Sequence, residues 1–202
     1  MAWNQYYIMV DNQPNPDIDR ILNSLGMSNY KKAGKYNLWE TNKPDSLFVS
    51  HYNNSLIFAH PDIPFEFFRE NKSDIEKKFI NIFPNSRIAA LIINETSSLF
   101  GFAIIEDGVK KRMKDGSGGE YYNDYGTPLP EEEESYKDFS EMLEEDEREE
   151  IIEECGEDGL EEYIQSQAAW GVPNMLSKYF LGDYVCAIDG EKIEFTKYEP
   201  NK

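Results

Sequence analysis

The most apolar passage of the chain is residues 87–114, RIAALIINETSSLFGFAIIEDGVKKRMK. Ile88, Ala90 and Ile92 alternate there with Ala89, Leu91 and Ile93. Apolar residues at both parities predict a strand buried on both faces, and therefore one inside a sheet. Phe100, Phe102 and Ile104 interleave with Gly101, Ala103 and Ile105 in a second strand. Asp107-Gly108 follows, with the residue types of a type I′ hairpin turn. Residues 109–114 then form a third strand that is half basic and reads as an edge. Lys110, Lys111, Arg112 and Lys114 would guard it against pairing with other chains, or receive the acidic segment of the same molecule.

Upstream, residues 5–10 read as a strand. Asn15 is placed to cap a helix that has Pro16 at its first position, with Ile18, Ile21, Leu22 and Leu25 on one face and Gly26 as its stop. Residues 27–45 show no period and read as a polar connection that holds Trp39. Two runs, 47–52 and 55–60, flank Asn53-Asn54 as a second hairpin. Ser73 and Glu76 have capping-box spacing ahead of a helix with Ile75, Phe79, Ile82 and Phe83, closed by Pro84. The order β-α-β-β-α-β, with two more strands behind it, predicts an α+β fold. In particular it predicts a ferredoxin-like unit extended by further antiparallel strands, with its helices on one face.

Residues 115–130 read as a Gly-, Tyr- and Pro-rich loop, and residues 131–170 as an acidic helical segment broken at Gly156 and Gly159. One helix there carries Tyr136, Phe139 and Leu143 in a stripe suited to lie on the sheet. A second helix, with Leu160, Tyr163, Ile164 and Gln167, ends at Gly171 before Pro173. Residues 175–180 suggest a short last helix. Residues 184–188 and 192–198 suggest a C-terminal hairpin about Asp189-Gly190. The whole reads as a single domain over residues 1–202, with residues 1–114 as its core.

Composition narrows the class. A mean hydropathy of -0.67 and the lack of an apolar run near ~20 residues argue against a helical membrane span. The start, MAWNQYYIMV, has no cationic opening or long apolar stretch, so no signal peptide is expected. Two cysteines, Cys155 and Cys186, are expected as free thiols in a cytoplasmic protein. Of the net charge of -19, residues 131–163 contribute 18 acids against Lys137 and Arg148, a net of -16. Phosphates would be repelled there, so nucleic acid is not an expected partner of this segment.

Candidate chemistry is sparse. Glu141, Glu150, Ile151, Glu153, Glu154 and Gly156 fall in register with a Nudix hydrolase box, whose helical carboxylates hold Mg²⁺ against a diphosphate. Ser135 stands where the first Gly belongs, Glu149 replaces the Arg that supports the metal-binding carboxylates, and Glu157 replaces the closing apolar residue. Glu150, Glu153 and Glu154 are thus the metal ligands of an alternative reading: a metal-dependent hydrolase or small-ligand-binding protein, with residues 115–126 as a lid. No Cys-His zinc spacing, G-x-S-x-G elbow or GxGxxG fingerprint occurs, and His51 and His60 would not be cross-strand neighbours. No catalytic residue and no cofactor is expected.

The favoured expectation is a non-enzymatic protein-binding module, an acidic adaptor or immunity-type inhibitor. It would meet a basic protein through Glu144, Glu145, Glu147 and Glu149, with Phe139 and Leu143 as apolar contacts. Residues 100–134 combine an aromatic-Gly-aromatic strand, a Gly turn, Arg112, a Gly-rich loop and Gly126 ahead of acids. This pattern resembles one from an uncharacterised family of bacterial cytoplasmic proteins. The family has no established activity, so the resemblance implies a bacterial cytoplasmic protein and nothing catalytic.

Overall fold

The computed structural model describes residues 4–201. The chain runs β1 (Asn4–Val10), α1 (Ile18–Leu25), β2 (Tyr30–Tyr36), β3 (Leu47–Tyr52), β4 (Ser55–Ala59), α2 (Asp74–Ile82), β5 (Ile88–Asn94), β6 (Leu99–Glu106), β7 (Val109–Ser117), β8 (Glu120–Gly126), α3 (Pro130–Met142), α4 (Glu145–Leu181) and β9 (Phe195–Pro200). It is an α+β fold. Among the described residues, nine strands make one sheet in the order β2-β9-β3-β4-β1-β5-β6-β7-β8. Every neighbouring pair is antiparallel.

The alternation in β5 carries the architecture. Ala89, Leu91 and Ile93 enter one core with Phe100, Phe102, Ile104 and the end of α4. Ile88, Ala90 and Ile92 enter the other, with Ala103, Ile105, and Leu22, Leu25 and Phe79 from α1 and α2. Helices therefore cover both faces, where one face was expected. Strands that are apolar at both parities need a cover on each side, and α4 supplies the second.

Local signals account for many of the boundaries. Asn53 and Asn54 (φ 48° and 60°) and Asp107-Gly108 (50° and 72°) take the positive φ values their turns require. Ser73 caps α2 by accepting from the Glu76 N–H at 3.1 Å. Gly26 ends α1 at φ 86°. The cap of α1 is Asp17, which accepts from the Arg20 N–H, so the helix begins later than the expected Asn15-Pro16 start.

Five further expectations are corrected. Residues 30–36, within the supposed polar connection, form edge strand β2; exposed on both faces, it shows no hydrophobic period and exists through its pairing with β9. The supposed loop 115–126 is the end of β7 and the whole of β8, joined through Gly118-Gly119 at φ 57° and 90°. Only glycine fits its C-terminal end, since a Cβ on Gly126 would meet the Lys111 carbonyl at 2.0 Å. Strand β7 is thus not an edge, and Lys110 and Arg112 are buried instead of guarding one. The C-terminal hairpin is absent. Val185 and Ile188 sit in the core as part of a turn, and β9 inserts between β2 and β3. Finally, Gly171 and Pro173 do not end the last helix, because α4 continues through residues 175–180.

Candidate protein-binding surface

Helix α4 changes character at Gly156, whose φ of 78° and ψ of 176° break the helical path. Beyond the break, Ile164 and Ala168 are buried, and Ala169, Val172, Leu176, Phe180 and Leu181 join the core on one face of the sheet. Before it, nothing is. From Tyr136 to Tyr163 no residue is buried, although this stretch includes about half of each of the two helices, residues 136–142 of α3 and 145–163 of α4. It holds 14 acids against 2 bases, a net of -12. The two helical pieces pack on each other as an arm that adds no buried residue to the cores of the sheet.

The base of the arm is fastened by charge. Glu132 accepts from Arg112 Nε and Nη2, at 2.7 Å each, and from the Leu129 N–H at 2.8 Å, so one carboxylate holds a buried guanidinium and caps α3. Arg112 also donates to Asp124 and, at 3.0 Å, to the Tyr125 carbonyl. Burial works against the Arg112 charge, but Glu132 and Asp124 outweigh it and hold the group above its ordinary pKa. Partial burial likewise opposes the Asp124 charge, and its bond to Arg112 prevails and holds this carboxyl below the usual range. A second clamp is Arg87, 3.2 Å from Glu106 and 3.7 Å from Glu131, with its guanidinium 4.5 Å from the Tyr179 ring centroid. Ser135 closes the crossing of the two helices. Its hydroxyl donates to the Ala168 carbonyl at 2.6 Å, and a Cβ on Gly171 would meet the Ser135 Oγ at 2.4 Å.

Further out, the arm is held to itself. Tyr136 donates to Glu161 at 2.7 Å, which raises the phenol pKa and lowers that of the carboxyl. The rings of Phe139 and Tyr163 lie 6.1 Å apart. Arg148 reaches back from α4 to the Ser140 carbonyl and, at 3.3 Å, to the Leu143 carbonyl, covering the end of α3. Phe139 and Leu143 are half-buried; Phe139 stacks toward α4, not onto the sheet as expected.

The other residues singled out from the sequence lie in solvent. Glu144 precedes α4 and donates its N–H to Glu147 at 3.1 Å; Glu145, Glu147 and Glu149 follow, all exposed. Glu150, Glu153 and Glu154 are exposed on the same outer piece. Among the described residues, no group of three or more His, Cys, Asp or Glu is arranged to hold a metal ion. Cys155 and Cys186 are free and exposed.

One feature was not legible in the sequence. A cleft of about 800 Å³ opens where α4 breaks, between that helix, the β5–β6 connection and the tip of the β7–β8 hairpin. Glu95, Glu120, Glu162, Tyr163 and Trp170 line it. These residues are up to 75 positions apart (95 to 170), and no spacing rule relates them. Among the described residues, no helix is long and apolar enough to cross a membrane. Compared with family models, curated proteins and solved structures, the chain matches none.

Proposed function

We propose that this chain is a non-enzymatic protein-binding module, an acidic adaptor or immunity-type inhibitor, that captures a cationic protein on the arm formed by α3 and the outer part of α4. One observation carries the reading. The arm buries no residue between Tyr136 and Tyr163, yet it is braced by Arg148, Tyr136 and Phe139 and anchored by Arg112. Solubility needs acids on a surface; it does not need them gathered on a braced projection, where like charges repel. The arm also exposes Met142 and Ile152 among its carboxylates. An electrostatic field for encounter and a few apolar anchors for contact are what a specific, salt-sensitive complex requires.

The test begins with capture from native cells, followed by binding of the purified captured protein measured by calorimetry at several salt concentrations. Replacing Glu144, Glu145, Glu147 and Glu149 with Gln should weaken binding about tenfold at low salt, a change of ~1.4 kcal/mol. The difference should shrink once screening sets in over ~8–10 Å. Equal binding by the Gln variant at low salt would reduce the arm to a solubilising face.

The alternative is a metal-dependent hydrolase or ligand-binding protein with Glu150, Glu153 and Glu154 as ligands; a cleft opens beside the α4 break, but these three glutamates do not line it. Mg²⁺-dependent diphosphate hydrolysis that disappears in Glu153→Gln would establish it. For the fold, we infer that β1, α1, β3, β4, α2 and β5 are a ferredoxin-like unit. The supporting observations are the antiparallel order β3-β4-β1-β5 and the packing of α1 and α2 in one core. Exposed free thiols at Cys155 and Cys186 support a reducing, cytoplasmic setting.

A further inference from the structure

The two ends of the sheet are built differently. At one end β2 carries Lys31, Lys32 and Lys35, all exposed, the usual guard against strand pairing between chains. At the other end β8 has no Lys, Arg or Pro, and it exposes Tyr121, Tyr122 and Tyr125 at 38%, 58% and 54%. Each edge strand has one irregularity of register, so a bulge does not distinguish them. Among the described residues, the backbone of 120–124 makes no hydrogen bond except to β7. Charge beside this edge is balanced, since Asp124 bonds to Arg112 and lies 3.5 Å from Lys114. A second cleft, of about 430 Å³, runs from the 70–72 loop over β7 to β8. Val109, Met113, Tyr122 and Tyr125 are its apolar walls, and Lys72 is among its polar ones.

We propose that β8 pairs antiparallel with β8 of a second copy of this chain, about a two-fold axis. A two-fold interface uses one patch twice, so the patch must offer both halves of each contact. This one does. Tyr122 and Tyr125 line the cleft and therefore stand on one face of the sheet. A two-fold axis perpendicular to the paired strands keeps that face continuous, and brings the same two tyrosines of the second copy alongside the cleft. A tyrosine ring suits it, with Met113 and the two rings for apolar contact and Lys72 for a cation–π contact. The balanced charge beside β8 gives this edge no preference for a cationic partner, unlike the arm. The arms are the obstacle to self-association, since residues 131–163 carry -16 of the net -19. Antiparallel pairing keeps them apart: each arm follows the C-terminal end of its own β8, so the two bases lie at opposite ends of the paired strands. A strand of this length spans roughly 20 Å, beyond the screening length of ~8–10 Å. One short strand from each copy is a small interface, so the dimer is a weak one.

Sedimentation equilibrium of the full chain, from low-micromolar to submillimolar concentration at physiological salt, should show the mass rising from one chain to two and no further. Added salt should tighten the dimer, because it screens the repulsion between the arms. Tyr122→Lys with Tyr125→Lys copies the guard of β2 onto β8 and should weaken association at least tenfold. Both side chains are exposed, so at low concentration this variant should keep the wild-type melting temperature. Hydrogen exchange of the wild type should slow at 120–124 as concentration rises, and stay unchanged at 30–36. A chain that remains monomeric at the highest concentration would overturn the proposal, as would a lysine variant that dimerises as tightly as wild type. Growth beyond two chains would mean that β8 pairs with β2 of the next copy instead. A dimer that salt dissociates would place the contact between an arm and the β2 lysines. Either outcome sinks the two-fold β8 pair, and neither bears on capture of a cationic protein by the arm.

Discussion

Glu132→Ala removes the carboxylate that both pairs Arg112 and caps α3. The Arg112 guanidinium is 2% exposed and would lose two hydrogen bonds of 2.7 Å each. Asp124, its remaining acidic partner, is half exposed and shares its other oxygen with Lys114 at 3.5 Å, so it compensates little. Breaking a buried pair from one side typically costs about 3–5 kcal/mol, because a charge is left buried without its counterion. Against a total stability of about 5–15 kcal/mol for a domain, that is a large fraction. Removing both charges is a different perturbation. Arg112→Met with Glu132→Leu discards the desolvation cost together with the attraction, and should lose only about 1–2 kcal/mol, most of it the uncapped Leu129 N–H. Urea unfolding followed by circular dichroism measures the global term. Hydrogen exchange over residues 130–142 reports whether α3 detaches first. A single variant within 1 kcal/mol of wild type, or a double variant as damaged as the single, would show that packing and not charge pairing holds the arm, on the scale expected for an intact buried pair.

Ile92 is fully buried in β5, and Ile92→Asp should abolish folding, since an unpaired buried charge costs several kcal/mol; a soluble variant with a cooperative melt would contradict the assigned core. Burial raises the Glu76 carboxyl above its ordinary pKa despite the Lys110 ammonium 3.1 Å away. Its stabilising contribution is therefore complete below the unfolded pKa, about 4.3, and is lost as pH rises through the folded value. Over that window wild-type stability should fall relative to Glu76→Gln, and parallel curves of unfolding free energy against pH would refute the sign. Purified protein should leave nucleoside diphosphate derivatives intact at millimolar Mg²⁺; turnover lost in Glu154→Gln would revive the hydrolase reading.

Local chemistry settled much of this molecule in advance. The two-faced apolar pattern of β5 and β6, the turns at Asn53-Asn54 and Asp107-Gly108, the Ser73 cap and the break at Gly156 each depend on a few neighbouring residues, and each is visible in the sequence. The acidic character of residues 131–163 is equally local. Edge strands were not legible: β2 and β8 are exposed on both faces, so nothing in their side-chain pattern marks them, and hydrogen bonds to β9 and β7 alone make them strands. Arg112 looked like an edge guard in a basic run. Only the arrival of β8 and α3 beside β7 buries it between Asp124 and Glu132. The sequence also could not say which part of the acidic segment is core and which is arm, because the inner and outer parts of α4 differ in what the sheet offers them. The cleft lies at the far end of this scale. Glu95, Glu120 and Glu162 come to line one cleft through the order of strands and the path of a broken helix, and sequence spacing carries no record of either.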